Sequence, residues 1–326
     1  MKKILVTGGA GLIGSAITDV LLKNKFKVFV LDNLSTGKLD NISRESISKI
    51  NFYKGSILDK NLINKLVKKV DFIYHLAASV GLKNILNNRI DSINTNVLGS
   101  HNIIHACAHY NKKLVIASSS EVYGVNKKKF LSEDDLHVIG NSKKFRWSYS
   151  VSKLLEEHIA LAYKKERNLK VNIVRFFNTV GPKQSSLYGM VIPNFVELAL
   201  NNKDLLVFGN GKQTRTFLHV KDAAKALYKI LQLNKYGQIL NIGGKENISI
   251  HDLALKIIKL SNSRSKVKKI DYKFAYSKKK KFSNDYQDIP YRHPDISLLK
   301  KKLNFIPSVS LNQILLETIE FKKFLL

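Results

Sequence analysis

Residues 6–14 read VTGGAGLIG, set between the apolar run KILV and the amphipathic stretch GLIGSAITDVLLKN. An apolar strand, a glycine turn and a helix start in that order put Gly8, Gly11 and Gly14 where a pyrophosphate can approach bare backbone at the positive end of the helix. A glycine turn alone is weak evidence, because any tight strand-to-helix turn uses glycine. Here Asp32 closes the next apolar run, KVFVLD, eighteen residues beyond Gly14. A carboxylate at that distance accepts both ribose hydroxyls and repels a 2'-phosphate, so the pair of features predicts NAD over NADP.

The rhythm set by this first unit continues. Strand-length runs DFIYHLAA, KLVIASSS and KVNIVRFFN alternate with longer stretches such as VLGSHNIIHACAHYN and YSVSKLLEEHIALAYKKER. Such alternation predicts an α/β chain with a Rossmann-type, doubly wound parallel sheet, whose ligands sit at the carboxyl ends of the strands. After about residue 178 the rhythm changes. We expect residues 1–177 to form the dinucleotide-binding lobe, with about 216–242 returning to it, and 178–326 to form mainly a smaller substrate-binding lobe over the sheet's carboxyl edge.

Composition narrows the function classes. The 326 residues carry a net charge of +30, with 55 basic residues, yet 47 are lysine and eight arginine. Nucleic-acid recognition favours the arginine fork, and the lysines are scattered, so the charge reads as a solvated surface and no nucleic-acid partner is expected. The runs NKKKF (126–130) and SKKKKF (277–282) read as exposed loops. A single cysteine, Cys107, excludes a disulfide framework, favours a reducing cytoplasmic setting and reads as a small buried residue. No stretch is long and apolar enough to predict a membrane span. His101, His105 and His109 share one helix face, but without acidic or cysteine ligands they read as a polar stripe, and no metal is expected.

Tyr149 and Lys153, in WSYSVSK, stand four apart on an expected helix and share a face. The lysine ammonium can then lower the phenol's pKa and hold the nicotinamide ribose at once. On its own such a pair is ordinary surface decoration. After a dinucleotide turn and the strand end ASSSEVYG (117–124) it reads as a catalytic pair. Trp147, beside it, reads as packing or as a stacking platform.

The collinear motifs TGGAGLIG, DNLSTG, HLAA, SSSEVYG, YSVSK, RFFNTVGP, GNGKQTRTFLHVKDAA and RHPDIS resemble the extended short-chain dehydrogenase/reductase family, in its NAD-dependent nucleotide-sugar epimerase and dehydratase branch, over nearly the whole chain. The resemblance implies Ser119 as the catalytic hydroxyl, Tyr149 as base and Lys153 as its partner. It implies that Gly8, Gly11, Leu12, Ile13, Gly14, Asp32, Asn33, Ser56, Ile57, Ala77, Ala78, Asn96, Ser118, Tyr149 and Lys153 line NAD. It further implies that Val80, Asn178, Val191, Phe195, Arg215 and Arg292 meet a nucleoside diphosphate sugar, with UDP as the commonest nucleotide. Arginine suits a diphosphate because it engages its oxygens bidentately. Ser56 stands where the family usually has an aspartate facing adenine. The family's habit of pairing through the helix of the Tyr-Lys pair implies a homodimer, and its pathways imply surface polysaccharide or glycan synthesis.

The expected chemistry begins with oxidation at C4 of the sugar, with Tyr149 as base and Ser119 bonded to the same oxygen. The 4-keto sugar then has three fates. Dehydration across C5 and C6 needs a strong acid where Ser120 stands, which argues against it. Epimerisation needs only the other face of the ketone, and HLAASVGL and FNTVGPKQSSLYGMVIPNFV resemble 4-epimerases. Decarboxylation of a UDP-glucuronate is the runner-up, since Ser120 and Glu121 reproduce a pair the decarboxylases share. Glu121 is therefore either a catalytic, substrate-facing residue or a solvated or turn-stabilising carboxylate at a strand end. A non-catalytic NAD-sensing regulator is the non-enzyme reading, with no use for Ser119, Tyr149 and Lys153 together.

Overall fold

The first strand, Lys3–Thr7, is buried on both faces from Ile4 onward, as a run of Ile, Leu and Val in a parallel sheet must be. It lies next to the central strand of a seven-stranded, all-parallel sheet in a computed structural model that describes residues 1–272 and 288–325. From one edge the order is Ile239–Ile242, Lys170–Phe176, Lys113–Ser119, Phe72–His75, Lys3–Thr7, Lys27–Asp32 and Asn51–Lys54. Chain order reverses between Lys3–Thr7 and Phe72–His75, and a ligand crevice opens at such a switch point, outside the carboxyl ends. This is the Rossmann-type, doubly wound fold that the strand-helix alternation predicts.

Helices cover both faces. Leu12–Lys23 packs on Val220–Leu231 over one face, around Ile4, Val6, Ile17, Leu21 and Leu227. The helices Lys60–Lys68, Ser100–His109 and Trp147–Arg167 bury Ile63, Leu66, Ile103, Cys107 and Ala160 against the other. The Cys107 thiol is fully enclosed, and burial raises its pKa. Asp59 caps its helix by accepting from the Leu62 amide at 3.0 Å.

The helices Val191–Leu200, Ile250–Ser261 and Leu311–Phe324 enclose a separate apolar cluster of Ile192, Val196, Leu253, Ile257 and Ile314. Beside it a four-stranded sheet joins Asn247–Ser249, Thr214–Thr216, Tyr291–Pro294 and Phe130–Leu131. The lysines at 127–129 are exposed as expected, but Phe130 is not loop: it opens a strand registered to His293. The run at 277–282 lies outside the described residues. None of the described helices is long and apolar enough to cross a membrane.

Candidate active site

The glycine turn is packed against its neighbours as a cradle. Gly8 has φ of +69°, and a Cβ there would lie 2.7 Å from the backbone nitrogen of Ala77 on the loop across the switch point. A Cβ on Gly14 would overlap the Gly8 carbonyl oxygen. Leu12 and Ile13 open the helix behind it. Asp32 ends its strand 8% exposed, accepting from the Ala10 amide at 3.0 Å and from the Leu34 amide at 2.8 Å. The carboxylate thereby ties the second strand's end to the glycine turn. A bare-backbone cradle with a fixed carboxylate at its rim fits a dinucleotide with free ribose hydroxyls.

Other residues named for the cofactor are tied to the same crevice. Ala77 donates its amide to Thr7 Oγ1 at 3.3 Å, and Ala78 follows it on the loop. Asn96 is 1% exposed within a π-helical turn, Thr95–Gly99. It accepts from the Ser79 amide at 2.7 Å and donates to Ser152 on the catalytic helix at 3.3 Å, so it bridges two walls of the cleft. The loop carrying Ser79 continues through Val80, whose carbonyl accepts from Asn84. Ser56 accepts from the Leu58 amide, Ile57 is buried against Gly99, and Asn33 accepts from Ser35. The Ser118 hydroxyl points the other way, to Glu157.

Tyr149 is half-buried near the start of the helix Trp147–Arg167, and Ser119 ends the strand beside it. Burial raises the Tyr149 pKa, and the Lys153 ammonium and then the Ser119 hydroxyl pull it back without cancelling the rise. The expected lowering by Lys153 is therefore present in direction but outweighed by burial. Lys153 itself is 2% exposed and donates to the Ala117 carbonyl and to Glu156 Oε2, each at 2.7 Å.

Glu121 is not a solvated carboxylate. Arg146 Nη2 donates to its Oε2 at 2.8 Å, and Arg292 Nη1 donates to its Oε1. Burial alone would raise the Glu121 pKa, but Arg292 and then Arg146 outweigh it and bring it down to about 2. Its amide donates to Ser119 Oγ at 3.2 Å, so the clamp adjoins the Ser119 hydroxyl directly.

Arg292 donates its other nitrogen to Asn178 Oδ1 at 2.7 Å, and Asn178 adopts a φ of +21°. Arg215 is in register with Arg292 on the adjacent parallel strand and pairs with Asp288 at 2.8 Å. Arg292 thereby joins Asn178, just past the strand Lys170–Phe176, to Glu121. Val191 is half-buried at the start of its helix, while Phe195 is 4% exposed and packs in the small-lobe core. Trp147 is packing, 2% exposed, with the Arg146 guanidinium 4.4 Å from its ring centroid. His101, His105 and His109 stack in a row beside Tyr163.

Sequence reasoning missed Arg146 and Glu156. For Arg146 a signal existed: an arginine in a chain with only eight of them, three residues before the catalytic tyrosine. For Glu156 the signal was its i, i+3 spacing from Lys153, but LLEEH reads as an ordinary helix surface.

With this geometry the chain can be placed. Residues 4–243 match the NAD dependent epimerase/dehydratase family, and the protein belongs to it. It is 40% identical over 321 residues, 98% of this chain and 97% of the relative, to a UDP-N-acetyl-alpha-D-glucosaminuronate decarboxylase of Bacillus cytotoxicus. Among solved structures it resembles UDP-glucuronic acid 4-epimerase of Bacillus cereus in complex with UDP-glucuronic acid and NAD, with TM-score 0.87, 30% identity and coverage of 99% and 100% of the two chains. It also resembles UDP-glucose 4-epimerase of Thermotoga maritima with UDP-glucose, with TM-score 0.86, 26% identity and 99% of each chain covered. NAD as cofactor and nucleotide-sugar chemistry are thus borne out. Both expected activities, 4-epimerase and its decarboxylase runner-up, are represented among these proteins.

Proposed function

We propose that the protein oxidises C4 of a UDP-uronate and lets the resulting 4-keto acid lose its carboxylate as carbon dioxide before reduction. The observation that carries this reading is the Glu121 carboxylate held between Arg146 and Arg292 beside Ser119. Epimerisation needs no such group, whereas two guanidiniums around a single internal carboxylate suit a site that receives a second one from substrate. The 40% identity to a uronate decarboxylase over almost both full chains supports it.

Bound NAD would supply reversible hydride acceptance at C4. Tyr149 takes the C4 hydroxyl proton, Ser119 bonds the same oxygen, and Lys153 favours the phenolate. When the bond from C5 to the carboxylate breaks, its electron pair moves onto the C4 oxygen, where Ser119 and Tyr149 stand as donors. C5 then takes a proton from solvent in the carboxylate's place, and Tyr149 gives its proton back to the C4 oxygen as the ketone is reduced. Arg146 orients the departing carboxylate, Arg292 links the Glu121 side of the site to the diphosphate that it and Arg215 hold, and Glu121 repels the carboxylate until it has left as carbon dioxide. Residues 1–177 with about 216–242 serve the cofactor and the rest mainly the sugar nucleotide, with Arg215 at the diphosphate and Val191 and Phe195 near the base.

Epimerisation of the same uronate is the second reading, favoured by the Bacillus cereus neighbour. Incubating the protein with UDP-glucuronate and UDP-N-acetylglucosaminuronate and following products by NMR separates them: carbon dioxide and a pentose nucleotide are expected. A product that keeps its carboxylate with C4 inverted supports the epimerase, and turnover of neutral sugars alone removes the uronate reading. Tyr149→Phe is expected to slow turnover at least about 100-fold.

The exposed apolar side chains Leu98, Val151 and Leu155 on the catalytic helix and its neighbour support a homodimer, which sedimentation would register. A cytoplasmic role in polysaccharide synthesis completes this reading.

A further inference from the structure

Below the catalytic pair lies a second charged group that the reaction as described does not use. Glu156 is 1% exposed, and its Oε2 accepts from Lys153 Nζ at 2.7 Å. Its Oε1 makes no hydrogen bond and stands 3.7 Å from His75 Nε2. His75 is itself fixed, with Nδ1 at 2.8 Å from Thr7 Oγ1 and Nε2 at 2.9 Å from Ser100 Oγ. Burial, then the Lys153 ammonium, press the His75 pKa down to about 3, so the imidazole is neutral. Next along the helix, Glu157 is neutralised by Arg175 at 2.7 Å. Glu121, on the turn facing Tyr149, is neutralised by Arg146 and Arg292. Glu156 is left as the counter-ion of Lys153.

A buried ion pair normally gains little stability over an apolar pair, so its presence asks for another use. We propose that Glu156 is a positioning residue for the reaction at Tyr149: its carboxylate anchors the Lys153 ammonium against the Ala117 carbonyl and damps the field that ammonium exerts on the phenol. This inference rests on Tyr149 being the base, whichever fate the keto sugar meets. Two opposed charges on one helix face act on the phenol together, and the tyrosine answers to their difference. The directions agree: Glu121 and then Glu156 raise the Tyr149 pKa, and of the two Glu156 also raises that of Lys153. Lys153 therefore stays charged across the working range while its pull on the phenol is held back.

Glu156→Gln keeps an acceptor for Lys153 and removes the charge. The tyrosinate absorbance that disappears on Tyr149→Phe substitution isolates the titration of this one phenol, without any substrate. In the Glu156→Gln background its onset is expected about one pH unit lower than in the wild type. The acid limb of kcat/KM with the UDP-sugar that the wild type converts should move the same way. A group that merely filled space would change stability and leave both curves in place. Glu156→Asp, which withdraws the charge by one methylene, should shift the onset in the same direction by less, and serves if the Gln protein does not fold. Coincident tyrosinate curves overturn the proposal, whereas a wild type that converts no UDP-sugar overturns the function and leaves this titration to be read.

Discussion

Arg146 donates to Glu121 at 2.8 Å, joining the residue before the catalytic helix to the turn after the catalytic strand. Arg292 closes the other side of the same carboxylate. Glu121→Gln removes the charge and leaves two guanidiniums facing each other. If the uronate reading holds, carbon dioxide release falls by at least about 100-fold. NMR of the product mixture checks this, and near-normal turnover would place the activity with the epimerases.

The same clamp makes a pH prediction. The Glu121 pKa is about 2 in the fold against 4.5 for a free side chain, so it is depressed. A depressed carboxylate contributes stability that is present above 4.5 and lost as pH falls towards 2. The Tm advantage of wild type over Glu121→Gln should therefore shrink across that window, as calorimetry at stepped pH would register.

Asp32→Ala deletes the acceptor that ties the Ala10 and Leu34 amides and would face the ribose hydroxyls. Losing charge-assisted bonds of about 1.5–3 kcal/mol corresponds to roughly 10- to 100-fold weaker NAD binding. Relative tolerance of NADP should rise, because the repelling carboxylate is gone. Isothermal titration with each dinucleotide measures both effects.

Gly14→Ala places a methyl group against the Gly8 carbonyl, backbone that cannot swing aside. The turn must open, so NAD retention is expected to be lost together with a lower Tm. Gly11→Ala meets only the Gly8 oxygen, at 3.1 Å, and should be milder in both respects. Cofactor released on denaturation, set beside a melting curve, compares the two.

Glu157 accepts from Arg175 Nε at 3.0 Å and Nη2 at 2.7 Å and from Ser118, deep between the catalytic helix and the sheet. Glu157→Gln strands a buried guanidinium and is expected to cost about 3 kcal/mol in urea unfolding. Replacing both partners, Glu157→Leu with Arg175→Met, should recover most of that loss. A double variant no better than the single one would show that the pair does more than neutralise itself.

Local pattern made the cofactor half of the site legible. Glycine spacing, Asp32 at a strand end, and Tyr149 with Lys153 at i and i+4 are periodic features that a helix or strand turns directly into geometry. Glu121 was legible as a candidate but not as a clamped one, because Arg146 and Arg292 reach it from 25 and 171 residues away. Asn96 was expected to line NAD, yet its amide is occupied by Ser79 and Ser152, contacts that exist only once the π-helical turn meets the catalytic helix. Phe195 stood in a segment expected near the base, and its segment alone did not show that its ring packs with Ile192 and Val196.

The sequence by itself determined the parallel sheet, the dinucleotide turn, the preference for NAD and the placing of Tyr149 and Lys153 on one helix face, since each is written in spacings shorter than a single strand-helix unit. Tertiary structure alone decided the charges around that pair: which carboxylates are neutralised, by which arginines, and that Lys153 and Glu156 are buried together. The physical reason is that a buried charge is governed by its distance to other charges and to water, and those distances are set by how distant segments pack at the sheet's carboxyl edge.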